Sequence, residues 1–210
     1  MRKEGPGRRL GGCLRFFWKC DQSIKEKGGI HMTAKECIVG RRSIRQFTEQ
    51  AVSPEVLEDI IATASYAPSW KNTQITRYTA VTGAAKEKLS KLTSIFPGNS
   101  SRMESAPMVV AVSVVKGRSG YERDGSFSTV KEDGWQMFDA GVASEAFCLA
   151  AYEKGLGTVI LGLFDVAEAT ALLEIPDTQE LVALICIGYP AESPAAPKRK
   201  TVSELLTYKE

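Results

Sequence analysis

Histidine is almost absent from this sequence: its 210 residues include one, His31. That histidine lies in an N-terminal segment whose composition differs from the rest of the chain. Without an imidazole in the folded domain, Ser-His-Asp and Cys-His triads, histidine metal sites and histidine general acid–base catalysis are excluded. Catalysis by this protein therefore has to come from a bound cofactor.

Cysteine is also scarce, and its five copies show no C-x-x-C spacing. Cys13 and Cys20 lie in the N-terminal segment, which leaves Cys37, Cys148 and Cys186 in stretches with an apolar periodicity. An odd number of cysteines without metal-ligand spacing argues against a disulfide framework and against a metal site. We expect three buried structural thiols in a reducing cytoplasm, and no metal.

Long hydrophobic runs are missing as well. No stretch reaches about 18 apolar residues, so the sequence predicts no transmembrane helix and no membrane partner. A GxGxxG dinucleotide-binding fingerprint is absent too. What is present is the composition of one globular domain, with 43% hydrophobic and 25% charged residues.

Positive charge predominates only at the N-terminus. Of the 27 Lys and Arg residues, eight lie in residues 1–32, together with three of the 25 Asp and Glu residues. The other 19 basic and 22 acidic residues form a mildly acidic body. Nucleic-acid binding depends on neutralising many phosphates, so two local Arg/Lys clusters are weak support for it and we expect no nucleic-acid partner.

The N-terminal segment looks like translated non-coding sequence. Residues 25–32, KEKGGIHM, are what a purine-rich ribosome-binding site encodes when it is translated in frame before a start codon. A signal peptide does not fit, because Arg15 interrupts a short apolar cluster. We expect residues 1–32 to be a non-native or disordered leader, with natural synthesis starting at Met32, and the folded domain to span 33–208.

Helical and strand patterns follow one another without strict β-α-β alternation, which predicts an α+β fold. Ser53 as N-cap and Pro54 at the first helical position mark the clearest helix start. The patterns predict helices over 33–39, 50–65, 84–92, 134–154, 165–173 and 202–206, and strands over 77–81, 107–115, 158–163 and 180–187.

The helix predicted over 134–154 has almost no charge along its middle. A helix that is apolar on nearly all sides is buried on nearly all sides, which in a small domain indicates a subunit interface. We expect Asp139 and Glu145 to form hydrogen bonds at that interface, and not to act as an acid–base pair.

Two short segments point to a ligand. Residues 40–47, GRRSIRQF, place three guanidiniums and a hydroxyl close together, the groups that bind a phosphate dianion. Residues 67–74, APSWKNTQ, combine small turn residues with the amides of Asn72 and Gln74, which suit the edge of a planar heterocycle. Each segment alone fits a solvated basic turn or a polar loop, whereas together they indicate a nucleotide-like cofactor.

Five motifs occur in order along the chain: RRSIR at 41–45, APSxxNxQ at 67–74, GLGT at 155–158, GYP at 188–190 and KRK at 198–200. In this order they resemble the nitroreductase-like flavoprotein family over essentially all of 33–208. The resemblance implies an α+β three-layer sandwich, with a central, mostly antiparallel sheet flanked by helices. It also implies an intertwined homodimer with FMN at the subunit interface.

The resemblance further implies which residues bind FMN. The arginine segment would hold the phosphate and the ribityl chain, the second segment the polar edge of the flavin, and the backbone at 160–162 its ring, while the basic triplet returns to the phosphate. These residues are Arg41, Arg42, Ser43, Arg45, Pro68, Ser69, Asn72, Gln74, Ile160, Leu161, Gly162, Lys198 and Arg199. Which of Lys198, Arg199 and Lys200 contacts the phosphate stays open, because Thr201 replaces a common proline.

The implied activity is a ping-pong reaction in which NADH or NADPH reduces FMN and a nitroaromatic or quinone-type acceptor then reoxidises it, with no catalytic side chain. Trp70 replaces a smaller residue and is a candidate substrate contact. Phe127 is another, because the Gly- and charge-rich segment 116–133 is a candidate lid over the site. Two alternatives stay open: a flavoenzyme of the same fold with a different oxidant half-reaction, and a flavin-binding module without turnover.

Overall fold

The computed structural model describes residues 32–93 and 96–210. The predicted leader, apart from Met32, lies outside these residues, and the start of natural synthesis there stays a prediction. Along the described residues the helices are α1 Ala34–Gly40, α2 Pro54–Ala64, α3 Gly83–Ser90, α4 Pro97–Ser105, α5 Gly134–Glu153, α6 Val166–Leu172 and α7 Val202–Leu205. The strands are β1 Thr76–Val81, β2 Met108–Val115, β3 Gly157–Leu161 and β4 Gln179–Gly188.

Each predicted helix and strand is present, with ends that differ by a few residues. Helix α2 begins at Pro54, after Ser53 accepts a hydrogen bond from the Val56 N–H at 3.4 Å. Helix α1 has a full capping box, in which Thr33 and Glu36 exchange hydrogen bonds. Helix α4 was not predicted from the sequence, because its first residues include proline, glycine and asparagine, which are weak helix formers.

The sheet has the strand order β1-β2-β4-β3, and every neighbouring pair is antiparallel. Strand β2 lies in the interior of the sheet, between β1 and β4, and is buried on both faces except at its last residue. Its register with β4 runs from Met108 opposite Ile187 to Val115 opposite Gln179, with an irregularity between Val112 and Ser113. The predicted antiparallel sheet is thus confirmed.

Alternate residues of the central strands point to opposite faces of the sheet, so each face has its own core. Val109 and Ala111 pack with Leu89 of α3, Met103 of α4 and Ala169 of α6. On the other face, the core consists of Val110, Val112, Ile185, Ile187, Leu57, Ile60, Phe147 and Cys148, the last four from α2 and α5. Helices therefore cover both faces, and the three-layer α+β sandwich is confirmed.

Helix α5 differs from its prediction. One side packs on the sheet, but Met137 is 41% exposed and Phe138 60% exposed. Together with Gly141 and Glu145, which are also exposed, these residues form a stripe along the helix. Within one chain this side of α5 is not covered, so the burial of α5 at a subunit interface stays a prediction. None of the described helices is long and apolar enough to cross a bilayer.

Candidate functional site

The arginine segment follows α1 and is fixed against the edge of the sheet. Ser43 pairs with Thr158 of β3 in a parallel bridge, and the Ile44 N–H donates to the Thr158 carbonyl at 2.9 Å. Ile44 packs so closely on β3 that a Cβ at Gly157 would lie 2.6 Å from its Cγ1. Gly157, the second glycine of the GLGT motif, is therefore needed for this contact. The contact fixes the backbone between Arg41 and Arg45.

The C-terminal tail runs beside the same segment. One carboxylate oxygen of Glu192 accepts hydrogen bonds from the backbone N–H groups of Arg45 at 2.5 Å and Gln46 at 3.2 Å. Phe47 also pairs with Pro190 in an antiparallel bridge. These contacts join residues that are more than 140 positions apart, so the two extremities of the domain meet next to the arginines.

Both extremities line one small cleft of about 110 Å³, the phosphate cleft. No acidic side chain lines it among the described residues. Its lining comprises Arg41, Arg42, Ser43, Arg45, Pro194, Ala195, Pro197 and Arg199. Of the three basic tail residues left open by the sequence, Arg199 lines the cleft, while Lys198 and Lys200 are exposed and do not. Four arginine residues around a small opening supply the groups that an anion site needs.

Few of the guanidinium donors in this cleft are engaged with protein groups. Arg42 Nη1 donates to the carbonyls of Val39 at 2.7 Å and of its neighbour Arg41 at 2.8 Å, at the C-terminal end of α1. Arg41 Nε is buried without a hydrogen-bond partner and lies 3.6 Å from a carboxylate oxygen of Glu145. A buried N–H donor without a hydrogen-bond partner costs free energy, so a phosphate oxygen that accepts a hydrogen bond from it fits this cleft.

The second segment forms a tight turn with an uncommon backbone. Lys71, Asn72 and Gln74 have φ angles of 45°, 55° and 49°. This is the left-handed region, which costs a non-glycine residue roughly 1–3 kcal/mol unless the surrounding structure imposes it. Three such residues within four positions indicate that surrounding contacts impose this backbone conformation on the turn, because the residues would not adopt it by their own propensity.

Asp139 of α5 is the main group that holds this turn. Its carboxylate is 3% exposed. It accepts hydrogen bonds from the Trp70 N–H at 3.0 and 3.1 Å and from the Ser119 hydroxyl at 2.5 Å. Ser119 is in turn 2.7 Å from the Thr73 hydroxyl. These partners of Asp139 belong to its own chain, and a hydrogen bond from Asp139 at a subunit interface stays a prediction.

The turn also lines a second cleft of about 340 Å³, the amide cleft, which lies against α2, β1 and α5. Pro68, Ser69 and Gln74 line it together with Asp139 and Arg77. Asn72 does not line this cleft, although its side-chain oxygen accepts a hydrogen bond from Gln74 Nε2 at 3.3 Å. The amide cleft shares no lining residue with the phosphate cleft.

Helix α5 separates the two clefts within one chain. Asp139 lines the amide cleft, and Glu145 contacts Arg41 of the phosphate cleft. Six residues along a helix correspond to about 9 Å of rise and bring the second residue to a different side. The structure thus brings together the arginines and Arg199, and separately Pro68, Ser69 and Gln74, but it does not join these two sets in a single chain.

The end of β3 lies close to the arginine segment, two residues after Thr158. Ile160 is 45% exposed, whereas Leu161 is 3% exposed and belongs to the core. A Cβ at Gly162 would meet no atom within 4 Å. The Ile160 side chain and the Cα of Gly162 therefore face open space, and the contact of this backbone with a flavin ring stays a prediction.

The two candidate substrate residues each pack against another aromatic ring. Trp70 is half-buried, with its ring 4.7 Å from that of Trp135. Phe127 is 47% exposed and its ring lies 4.8 Å from that of Tyr121. The closure of Phe127 over the site stays a prediction.

Local sequence patterns did not indicate three residues that hold the two segments in place: Ser119, Glu192 and Asp139. Ser119 and Glu192 lie in irregular segments without a periodic pattern. The signal for Asp139 was a lone carboxylate in an apolar helix, but its partners are 20 and 69 residues away in sequence, which no local pattern indicates.

The profile of the nitroreductase family matches residues 38–97 and 92–189, which together span most of the chain. The NADPH-flavin oxidoreductase of Vibrio harveyi is 28% identical over 172 residues, 78% of this chain and 68% of that protein. The FMN reductase (NAD(P)H) of Bacillus subtilis is 28% identical over 182 residues, 82% of this chain and 72% of that protein.

Solved structures agree with the profile. A nitroreductase-like protein from Desulfovibrio desulfuricans, solved in complex with FMN, superposes with a TM-score of 0.67 at 26% identity, over 86% of this chain and 99% of that one. A nitroreductase family protein from Clostridium novyi superposes with a TM-score of 0.67 at 28% identity, over 79% of this chain and 89% of that one. Since the profile matches well over half of the chain, this chain belongs to the nitroreductase family.

Proposed function

We propose that this protein is an FMN-dependent NAD(P)H oxidoreductase that reduces nitroaromatic or quinone-type acceptors. The observation that supports this most strongly is the phosphate cleft, where guanidiniums from both ends of the domain surround a buried donor without a partner. Relatives named as an NADPH-flavin oxidoreductase and an FMN reductase support the same activity.

In this proposal the protein binds and orients, while the redox chemistry is supplied by bound FMN, which accepts a hydride and later donates electrons. Arg41, Arg45 and Arg199 bind the phosphate, and the Ser43 hydroxyl adds a short contact. Ser69, Asn72 and Gln74 offer hydrogen bonds to the polar edge of the ring. Amide and guanidinium donors at such an edge stabilise negative charge that develops on the ring during reduction.

We also propose that the active form is a homodimer. The phosphate cleft and the amide cleft lie on different sides of α5 in one chain, so a flavin that contacts both needs residues from two copies. The exposed stripe of α5, with Met137 and Phe138, is the apolar surface that a second copy would cover. We place the protein in the cytoplasm, because its three cysteines in the described residues are buried free thiols.

The experiment is to purify the protein, record its absorption spectrum, and release and identify the flavin. Consumption of NADPH and NADH is then followed with menadione and with nitrofurazone. We expect a yellow protein that contains FMN and turns over many equivalents of the reduced dinucleotide. A single reduction per flavin would indicate a flavin-binding module, and a colourless protein that does not take up added FMN would contradict the proposal.

A further inference from the structure

A third cleft opens on the other side of the strained turn, with a volume of about 580 Å³. It lies between the turn at 70–73 and the loop at 117–123, and we call it the loop cleft. Its charged and aromatic lining consists of Trp70, Lys71, Arg118, Tyr121, Glu122 and Arg123. We propose that the loop cleft binds the 2′-phosphate of NADPH through Arg118 and Arg123, so that the enzyme prefers NADPH to NADH. This inference rests on the proposed oxidoreductase function.

Two positive charges of the loop cleft are uncompensated. Glu122, its one acidic lining residue, accepts hydrogen bonds from the Ser128 hydroxyl at 2.5 Å and from Lys71 Nζ at 2.9 and 3.1 Å. The hydrogen bonds from Ser128 and Lys71 lower the pKa of Glu122, which therefore stays ionised and paired with Lys71. The side chains of Arg118 and Arg123 make no hydrogen bond or ion pair with any of the residues at 32–93 and 96–210.

The acid next to Arg123 does not neutralise it either. The Asp124 carboxylate accepts hydrogen bonds from the backbone N–H of Ser126 at 3.0 Å and from its hydroxyl at 2.6 Å. These bonds keep Asp124 in its own turn. A guanidinium is always charged, so Arg118 and Arg123 together attract an anion, whereas the mildly acidic body around them does not.

The loop cleft is built by fixed contacts. Ser119, next to Arg118, is fully buried and bonds to Asp139 at 2.5 Å and to Thr73 at 2.7 Å. The Gly117 N–H donates to Gln136 Oε1 at 2.8 Å, and Gln136 is 3% exposed. Both sides of the cleft are thus attached to α5, which reduces the entropy lost when a ligand binds.

The place of the loop cleft suits the reducing dinucleotide. Its turn carries Ser69, Asn72 and Gln74, which we propose to contact the flavin edge, so a ligand in the loop cleft lies beside the flavin. Trp70 and Tyr121 offer aromatic surface for an adenine or nicotinamide ring. A phosphomonoester carries nearly two negative charges at neutral pH and matches two guanidinium forks, whereas each phosphate of the pyrophosphate bridge carries one.

The kinetic test compares wild type with the double variant Arg118→Ala/Arg123→Ala. Lys88→Ala/Lys91→Ala is the control, because it removes two positive charges from α3 and its C-cap, and neither residue lines any of the three clefts. With menadione as acceptor, we expect the double variant to lose at least about 10-fold in kcat/KM for NADPH and less than about 2-fold for NADH. The control should change neither value.

A binding measurement makes the test independent of turnover. Adenosine 2′,5′-bisphosphate is titrated calorimetrically into wild type and both variants, with adenosine 5′-monophosphate as the reference ligand. We expect wild type and the control to bind the bisphosphate more tightly than the monophosphate. The arginine variant should bind both ligands weakly and with the same affinity. Equal losses for NADPH and NADH, or no loss, would overturn the inference while FMN content and NADH oxidation still support the proposed function.

Discussion

At the scale of single residues, Arg41 combines two conflicting features. Its guanidinium is partly exposed toward the phosphate cleft, yet its Nε is buried without a hydrogen-bond partner. Glu145 is too distant, at 3.6 Å, to satisfy that donor with a hydrogen bond. A phosphate oxygen in the cleft would remove this cost, so the free energy that Arg41 contributes depends on the ligand.

We therefore predict that Arg41→Ala/Arg45→Ala weakens FMN binding strongly. Charge-assisted hydrogen bonds contribute about 1.5–3 kcal/mol each, so the loss of two raises the FMN dissociation constant at least about 100-fold. The increase in melting temperature that FMN gives to wild type should largely disappear. Flavin fluorescence titration and thermal melts with and without FMN measure both effects.

The charge-matched control is again Lys88→Ala/Lys91→Ala, which should bind FMN like wild type. If the arginine variant keeps the wild-type FMN dissociation constant and melts like wild type with FMN present, the phosphate does not lie in this cleft. A loss of FMN affinity in the control as well would show that net charge alone explains the effect.

At the scale of elements, the turn at 70–73 depends on α5. Lys71, Asn72 and Gln74 hold left-handed conformations, and the Asp139 carboxylate binds the first residue of the turn and, through Ser119, also reaches Thr73. Trp70, Lys71 and Thr73 of the turn line the loop cleft, and the residues that flank it, Ser69 and Gln74, line the amide cleft. One buried carboxylate thus positions two candidate ligand sites.

We predict that Asp139→Ala lowers the free energy of unfolding by about 2 kcal/mol or more, because it leaves the Trp70 N–H and the Ser119 hydroxyl buried without this acceptor. FMN affinity should fall with it, since the turn carries Ser69, Asn72 and Gln74. Asp139→Asn should restore most of both, because its amide oxygen still accepts from Trp70 and its NH₂ group can donate to Ser119. Urea unfolding and flavin titration measure the two quantities.

A control that destabilises another element separates positioning of the site from general destabilisation. Asp165 caps α6 by accepting from the Glu168 N–H at 2.9 Å, so Asp165→Ala should cost about 1 kcal/mol. It should leave FMN affinity unchanged. If Asp139→Ala destabilises the protein without weakening FMN binding, the carboxylate supports the fold and does not position the site.

At the scale of the whole molecule, α5 has a second apolar face that its own chain does not cover. One side packs on the sheet, while the stripe with Met137 and Phe138 is open. The sequence of α5 is as apolar on the open side as on the buried side, which is what a helix between two subunits requires. The separation of the amide cleft from the phosphate cleft supports the same proposal of a dimer.

We predict that Phe138→Glu converts the dimer to a monomer, because it places a charge where about 150–250 Å² of aromatic surface would be buried. FMN affinity should fall in parallel, since each site would lose the residues of the second copy. Sedimentation equilibrium and flavin titration follow the two changes. Val166→Glu is the control, because Val166 is 44% exposed on α6, away from the stripe.

Dimerisation by another surface would leave Phe138→Glu dimeric. A wild-type protein that binds FMN as a monomer would contradict the two-copy site altogether. Neither result would bear on phosphate binding in the phosphate cleft, because one chain forms that cleft from its own two extremities. The arginine variant tests that binding separately.

Much of the secondary structure followed from local sequence. Ser53 and Pro54 predict where α2 begins, since capping depends on neighbours three residues away. The apolar, β-branched stretch at 107–115 predicts β2 for the same local reason. Helix α4 was missed because Pro97, Gly98 and Asn99 have low helix propensity, and packing against α3 outweighs it.

The sequence by itself determined the kinds of groups available: no imidazole in the described domain, an arginine segment, an amide-bearing turn and a basic tail. Composition and short-range pattern suffice for that, because they depend only on neighbouring residues. Only the tertiary structure decided that Arg199 joins the arginines, that Asp139 serves its own chain, and that the amide cleft lies apart from the phosphate cleft. Those outcomes depend on how helices and strands pack, which joins residues far apart in sequence.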